Sequence, residues 1–301
     1  MSGADPPVRA EAVAREGAET VVRERAETVA RERAETVARE RAETVALVRA
    51  EAVAQRFGNR TIFRDVSFAV APGEVFAILG GSGCGKSTLL RQAVGLLVPT
   101  AGRIEIAGRA ITGPDGAAGR AYARRRIGVM FQGGALFGSL DLLGNVMLPL
   151  EMFTDLPAEA RATIARGKLG QVGLADAAGL LPAEISGGMA KRAAIARAMA
   201  LDPPVLFLDE PSAGLDPITS AELDRLILEL RDGIGTTFVV VTHELASILA
   251  IADRCVMLDR NAHADAGGVI ATGDPRALAR DSRHPVVRAF FDRAPMAAGG
   301  A

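Results

Sequence analysis

The chain has 301 residues, 49% of them apolar, with 35 basic against 36 acidic side chains and a formal charge of −1. This composition supplies core for one large or two small domains and excludes a globally charged binder of nucleic acid or anionic lipid, so any such partner must be recognised locally. Two cysteines, Cys84 and Cys255, are too few and too far apart for a disulfide scaffold or zinc site, and no apolar run reaches the ~18–20 residues that cross a bilayer, so a soluble chain in a reducing compartment is expected.

The first elements are copies of an octad: PVRAEAVA from Pro7, REGAETVV from Arg15, RERAETVA from Arg23, Arg31 and Arg39, and LVRAEAVA from Leu47. Arg23, Glu27, Arg31, Glu35, Arg39 and Glu43 form an i,i+4 ladder of alternating sign, which supports a solvated helix. Each octad turns its valine about 80° around a helix, so the valines spiral instead of forming a coiled-coil stripe. Residues 1–46 are therefore expected to be a helical or disordered segment ahead of a domain spanning 47–301. The last octad is a candidate for that domain's opening strand.

From Phe57 onward, short apolar runs bounded by Gly, Pro and Asp alternate with helical patterns, which predicts an α/β layered domain. Val75–Leu79 (VFAIL), Val205–Leu208 (VLFL) and Thr237–Val241 (TFVVV) are too uniformly apolar to have a wet face and read as strands of a buried parallel sheet. After the first run comes GGSGCGKST, comprising Gly80, Gly81, Ser82, Gly83, Cys84, Gly85, Lys86, Ser87 and Thr88. Glycines at this spacing turn backbone N–H groups inward around phosphate oxygens. Lys86 reaches the β and γ phosphates, Ser87 ligates Mg²⁺, and the helix opening near Lys86 adds its positive dipole end. The cofactors expected are ATP and Mg²⁺.

The stretch from 80 to 204 is much longer than one crossover helix needs, and its second half is helical in pattern, which predicts an inserted helical subdomain at about 133–200. Within it, Ser186, Gly187 and Gly188 present a hydroxyl and bare N–H groups at a helix start, a second anion site in one chain. VLFL then runs into Asp209 and Glu210. Asp209 is placed to hold Mg²⁺ through water, and Glu210 to orient or deprotonate an attacking water.

These residues define a P-loop ATPase, and together they resemble the ABC ATPase family from about residue 50 to residue 294. The resemblance implies a P-loop NTPase core of mostly parallel sheet with an antiparallel β portion and the helical subdomain. It makes ISGGM (Ile185–Met189) the signature, whose Ser186, Gly187 and Gly188 contact the nucleotide of an opposite subunit in a homodimer. Gln132, in GVMFQGG, matches the glutamine that touches Mg²⁺ or the attacking water. His243, after TFVVV, matches the histidine that contacts the γ-phosphate beside Glu210. Asp216, in SAGLD, matches the loop that couples the two sites, and Phe57 the aromatic that stacks on adenine, with a core role as the competing use. His263 and His284 match nothing catalytic and are expected at the surface. The apolar segment Ala135–Leu150 corresponds to the groove that receives a cytoplasmic helix of a permease.

One residue departs from the family pattern: Met189 stands where the signature commonly has Gln, and a thioether cannot make an amide's hydrogen bonds. FQGGALFGSLDLLGNVMLPL, SGGMAKRAAIARAMALDP and HPVVRAFFDRAP are similar to the ATPases of Mla-type systems, in which a signature ending in Met is usual. Those systems move phospholipid between the membranes of Gram-negative bacteria. The likeness implies a peripheral subunit on the cytoplasmic face of the inner membrane, an integral-membrane permease, an MCE-type lipid-binding protein and a STAS-type subunit, with no nucleic acid. An importer of polar solutes such as amino acids and, more remotely, a soluble non-transport ABC ATPase or a small-molecule phosphotransferase are the competing readings.

Overall fold

The computed structural model of the chain describes residues 46–293. The octad segment 1–45, with the expectation of a helix or a disordered arm, lies outside the described residues. The last octad falls in β1 (Val48–Phe57), which pairs antiparallel with β2 (Arg60–Val70) on one side and β4 (Ala101–Ile106) on the other. A sequence of Ala and Glu that favours helix is held extended because both strand edges are hydrogen-bonded. A register shift beside Ala52, at φ +47, resets the alternation so that Val48, Ala50, Val53 and Gln55 all face inward. With β5 (Arg109–Ala110) these strands make a four-stranded antiparallel sheet in the order β2-β1-β4-β5.

The second sheet has six strands. Its order is β10 (Gly268–Gly273), β9 (Arg254–Asp259), β3 (Val75–Gly80), β8 (Thr237–Val241), β7 (Val205–Asp209) and β6 (Ile127–Met130). All neighbours are parallel except the β9–β10 pair. Its central strands are buried on both faces, which explains their unbroken apolar runs. Val205 and Phe207 of β7, Val239 and Val241 of β8, and Phe76 and Ile78 of β3 pack with β1, β2 and β4. Leu206, Leu208, Phe238 and Val240 turn the other way, toward helices. Each such side chain contributes about 1.5–3 kcal/mol relative to leaving it in water.

Among the described residues, α1 (Lys86–Ala93) follows β3, and α2 (Gly116–Ala123) precedes β6. Between β6 and β7 lie only helical elements: α3 (Leu142–Phe153), α4 (Ala158–Gln171), two short 3₁₀ turns and α5 (Gly187–Ala198). Val146, Leu150, Ala165, Leu169 and Ile195 give this insert a core continuous with one face of the sheet. Gly128 makes that contact possible, because a Cβ there would lie 2.2 Å from the Ala198 carbonyl oxygen of α5. α6 (Pro217–Ile234) links β7 to β8 and α7 (Leu245–Ile251) links β8 to β9. α8 (Pro275–Asp281) and α9 (Pro285–Phe291) follow β10. β3, β6, β7 and β8 all end at the same sheet edge, so the segments that follow them converge there, as ligand sites of open parallel sheets do.

Candidate active site

The loop Gly80–Gly85 leaves β3 and α1 starts at Lys86. Gly80, at φ +141, has no room for a side chain: a Cβ would sit 2.3 Å from the Leu258 carbonyl oxygen and 2.7 Å from Cys84 Sγ. Gly85, at φ +101, caps α1 in a left-handed conformation with Phe63 of β2 pressed against it. Lys86 Nζ folds back and donates to the Gly80 and Gly81 carbonyls at 2.8 and 3.0 Å, so the ammonium itself braces the cradle. Ser82, Gly83 and Ser87 are exposed, and Thr88 is half-buried. Cys84 is buried beneath the loop, where desolvation pushes its thiol up despite nearby Lys86; only its backbone can face a phosphate.

Asp209 ends β7 beside Val241 of β8. Glu210 then takes φ +49, a left-handed conformation costing a non-glycine residue about 1 kcal/mol or more, and its N–H donates to the Val241 carbonyl at 2.8 Å. His243, two residues beyond β8, brings Nδ1 to 2.8 Å from Glu210 Oε1. A carboxylate can only accept, so that ring nitrogen carries the shared proton, and the imidazole edge bearing Nε2 is left outermost, 3.8 Å from Glu244 Oε1. Burial first, then the charge of Glu210, raise the carboxyl of Asp209, while Arg91, Lys86 and Lys191 oppose the rise. Asp209 Oδ1 and Glu210 Oε2 are buried with no hydrogen-bond partner among the described residues, two acceptors set beside the phosphate cradle.

Among the described residues no three His, Cys, Asp or Glu side chains gather as a metal cage. A hard cation that keeps its waters fits this arrangement, since it needs one or two carboxylates plus substrate phosphates, and the two unpartnered oxygens suit metal-bound water. Gln132 is exposed two residues beyond β6, and its carbonyl accepts from Lys191 Nζ. The Gly80–Ser87 loop, Asp209, Glu210, His243 and Gln132 thus all follow strands that end at this one edge.

Ser186, Gly187 and Gly188 stand apart on the helical insert. Ser186 is the N-cap of α5, its Oγ accepting the Met189 N–H at 3.2 Å. Gly188 lies under α6, where a Cβ would come within 2.5 Å of Thr219 Cγ2, while Ser186 and Gly187 stay exposed. Met189 is half-buried and packs on the insert's core, so its thioether fills apolar space instead of facing out. Asp216 caps α6: Oδ1 accepts from the Ile218 and Thr219 N–H groups at 3.0 Å and Oδ2 from Thr219 Oγ1 at 2.5 Å, bonds that hold its carboxyl below the usual range. Phe57 is 51% exposed where β1 turns into β2, so its ring face is accessible and not part of the core. His284 is exposed and His263 half-buried. Lys191, whose charge acts on both acids, escaped sequence reasoning because a lysine on a polar helix gives no signal of its own.

A family model described as ABC transporter matches residues 63–213. The chain is 44% identical over 223 residues to the intermembrane phospholipid transport system ATP-binding protein MlaF of Escherichia coli strain K12, covering 73% of this chain and 82% of that one. It is 40% identical over 237 residues to the probable ribonucleotide transport ATP-binding protein mkl of Mycobacterium tuberculosis, covering 78% of this chain and 64% of that one. The dimeric structure of a post-hydrolysis state of the ATP-binding cassette MJ0796, bound to ADP and Pi, matches with a TM-score of 0.66 at 30% identity, covering 75% of this chain and 98% of that one.

Proposed function

The chain belongs to the ABC transporter family as an ATP-hydrolysing subunit, and from that premise we propose that it drives phospholipid transport from the cytoplasmic face of an inner membrane, with a catalytic centre of Glu210, His243 and Gln132. The observation that carries the chemistry is the Glu210–His243 pair at 2.8 Å, with the second Glu210 oxygen buried and unpartnered beside Asp209. Glu210 accepts a proton from, or aligns, the attacking water through Oε2. His243 donates from Nδ1 to Oε1 and so fixes the carboxylate; its Nε2 reaches the γ-phosphate as a donor when that nitrogen too carries a proton, since phosphate oxygens only accept. Lys86 exchanges the Gly80 and Gly81 carbonyls for β and γ phosphate oxygens, and the N–H groups of the Gly80–Thr88 loop hold the rest of the chain of phosphates. Phe57 stacks on adenine. Ser87, Asp209 through water, and Gln132 would hold Mg²⁺, whose contribution is to neutralise charge developing on the β and γ oxygens.

One chain carries two helix starts suited to phosphate, one at half-buried Lys86 and one at exposed Ser186. A homodimer in which Ser186–Gly188 of each subunit closes over the nucleotide of the other uses both, and Asp216 at the start of α6 lies close to that contact in space, since Gly187 faces Leu215 and Gly188 faces Thr219. Residues 47–301 form the ATPase domain in this reading, with its helical subdomain at about 133–200. Among the described residues no helix is long and apolar enough to cross a membrane, so a permease supplies the passage. The exposed Phe131, Phe137 and Met152 around the Gln132 loop and α3 support its docking there. An MCE-type lipid-binding protein and a STAS-type subunit complete the proposed assembly. The 40% identity to a protein named for ribonucleotide transport supports a polar cargo as the second reading, and the higher identity to MlaF favours lipid.

The test is Glu210→Gln. It removes the base and keeps the shape, so hydrolysis falls by about 10²–10⁴ while ATP binding persists and an ATP-bound dimer accumulates on size exclusion. Undiminished turnover would remove Glu210 from its role. Purification from membranes in mild detergent decides the cargo: co-purifying permease with bound phospholipid supports the first reading, and a permease without lipid favours the second.

A further inference from the structure

Behind this site runs a set of hydrogen bonds that the hydrolysis chemistry does not use. Lys191, on the second turn of α5, is 8% exposed and donates from Nζ to the Gln132 carbonyl. Arg197 lies six residues farther, about 9 Å along the helix axis. Its Nη1 and Nη2 donate to the Ala135 and Gly134 carbonyls, each at 2.7 Å. The loop needs such support, because Gly134 and Ala135 are consecutive left-handed residues at φ +73 and +51, and the second is not glycine. A planar guanidinium fork locked on both carbonyls over-determines that turn.

The next residues are tied to the insert as well. Asn145 of α3 accepts the Phe137 N–H and donates to the Phe137, Leu140 and Asp141 carbonyls. The loop that follows β6 is thus fastened to the helical insert, not to the strand that leads into it. An ammonium buried against one carbonyl is costly unless charge compensates. Burial depresses Lys191, and the charges of Glu210 and Asp209 oppose that depression. What Lys191 contacts directly is the Gln132 carbonyl, which it holds from α5.

We propose that Lys191, with Arg197 behind it, is a positioning residue for hydrolysis: it fixes Gln132 to α5, so that the helix presenting Ser186 to the partner's nucleotide also sets Gln132 over its own. The inference rests on the reading of Gln132 as a metal or water contact. Its consequence is that α5 cannot rotate into the dimer interface without carrying Gln132 along, which links the two nucleotide sites inside each subunit.

The experiment measures kcat and KM for MgATP hydrolysis by the full chain, together with thermal unfolding, for Lys191→Met, Lys191→Arg, Gln132→Ala and the double variant Lys191→Met/Gln132→Ala. Lys191→Met is expected to lower kcat on the order of 10-fold or more with KM nearly unchanged, as misplacement of a reacting group does. Lys191→Arg restores most of the loss, and Lys191→Met costs nothing further once Gln132 is alanine. Should Lys191→Met not fold, Arg197→Lys, which breaks the fork and keeps the charge, carries the same expectation of a kcat-only loss absent from the Gln132→Ala background. Losses that add in full across the double variant, or an unchanged kcat in the lysine and arginine variants alike, overturn the proposal. Full activity of Gln132→Ala alone instead overturns the reading of Gln132, and the proposal with it.

Discussion

Replacing His243 with alanine removes a single interaction whose geometry is on view, the 2.8 Å contact between Nδ1 and Glu210 Oε1. Glu210 is held by its strained φ and by its own N–H on Val241, so the backbone stays in place while the carboxylate gains a torsion. A hydrogen bond to a charged group contributes about 1.5–3 kcal/mol. The histidine side chain is 59% exposed and the glutamate 12%, so water replaces part of the bond and the low end of that range, about 1.5–2 kcal/mol, applies. If the pair matters only when the water attacks, that energy appears wholly in kcat as a loss of about 10–30-fold. Loss of the proposed His243 contact to the γ-phosphate would add to this, so about 10-fold is the minimum expected. The assay is phosphate release at saturating MgATP, with ATP affinity measured separately on the resting protein. Turnover within twofold of the parent would refute the argument. So would an equal loss in a Glu210→Gln background, where no carboxylate remains to be held.

Asp209→Asn separates stability from function. In the folded chain the Asp209 carboxyl is raised, mainly by burial, so its ionised form opposes folding above the unfolded carboxylate range and that penalty fades as pH falls through it. The asparagine variant is expected to unfold at a higher temperature than the parent at pH 7 without nucleotide, with the gap closing toward pH 4, and to lose Mg²⁺-dependent hydrolysis. A lower midpoint at pH 7 would contradict the burial argument. The two thiols should resist alkylation in the native protein: desolvation pushes Cys255 up to about 12, which leaves on the order of one thiol in ten thousand ionised at pH 8. Thiol titration with and without denaturant checks this, and rapid labelling of both cysteines in the folded state would refute it.

The strand, glycine loop and helix start of the candidate phosphate cradle were legible because the pattern is local: glycine spacing, lysine and hydroxyl all fall within nine residues, and the strand before them is apolar throughout. Asp209, Glu210 and His243 were legible for the same reason, each following an uninterrupted apolar strand. β1 was legible only as a candidate, because the octad that favours helix becomes a strand through partners on both edges, one of them over forty residues away. β6 gave little signal, since it is four residues long with Gly128 inside it, and that glycine serves α5 and not the strand. The hold of Lys191 and Arg197 on the Gln132 loop joins segments about 60 residues apart through backbone carbonyls, which leave no mark on residue identity. Met189 read from sequence as a side chain unable to make the amide's hydrogen bonds and as a mark of the Mla-type subgroup, and its half-buried place against the insert's core gives it a packing role.

The composite site makes a prediction that no folded monomer can imitate. Ser186→Arg places a long cation at the α5 start, where the exposed hydroxyl and N–H groups would meet the partner's nucleotide. The change leaves the chain's own Lys86 loop and Glu210 untouched. On its own the variant should bind ATP normally as a monomer and fail to hydrolyse it, as Glu210→Gln does for a different reason. Mixed in equal amounts, the two inactive proteins form heterodimers with one site carrying both defects and one carrying neither, because Glu210 and Ser186 of a given chain serve different nucleotides. Random pairing gives about half heterodimers, each with one of two sites whole, so roughly a quarter of parental activity should return if the sites fire independently. Placing both changes on one chain and mixing it with parent is the control, since each heterodimer site then has one defect and only parental pairs contribute. If the two mixtures cannot be told apart after the parental pairs are subtracted, the nucleotide is not shared between subunits, and Ser186 must be returned to a role within its own chain.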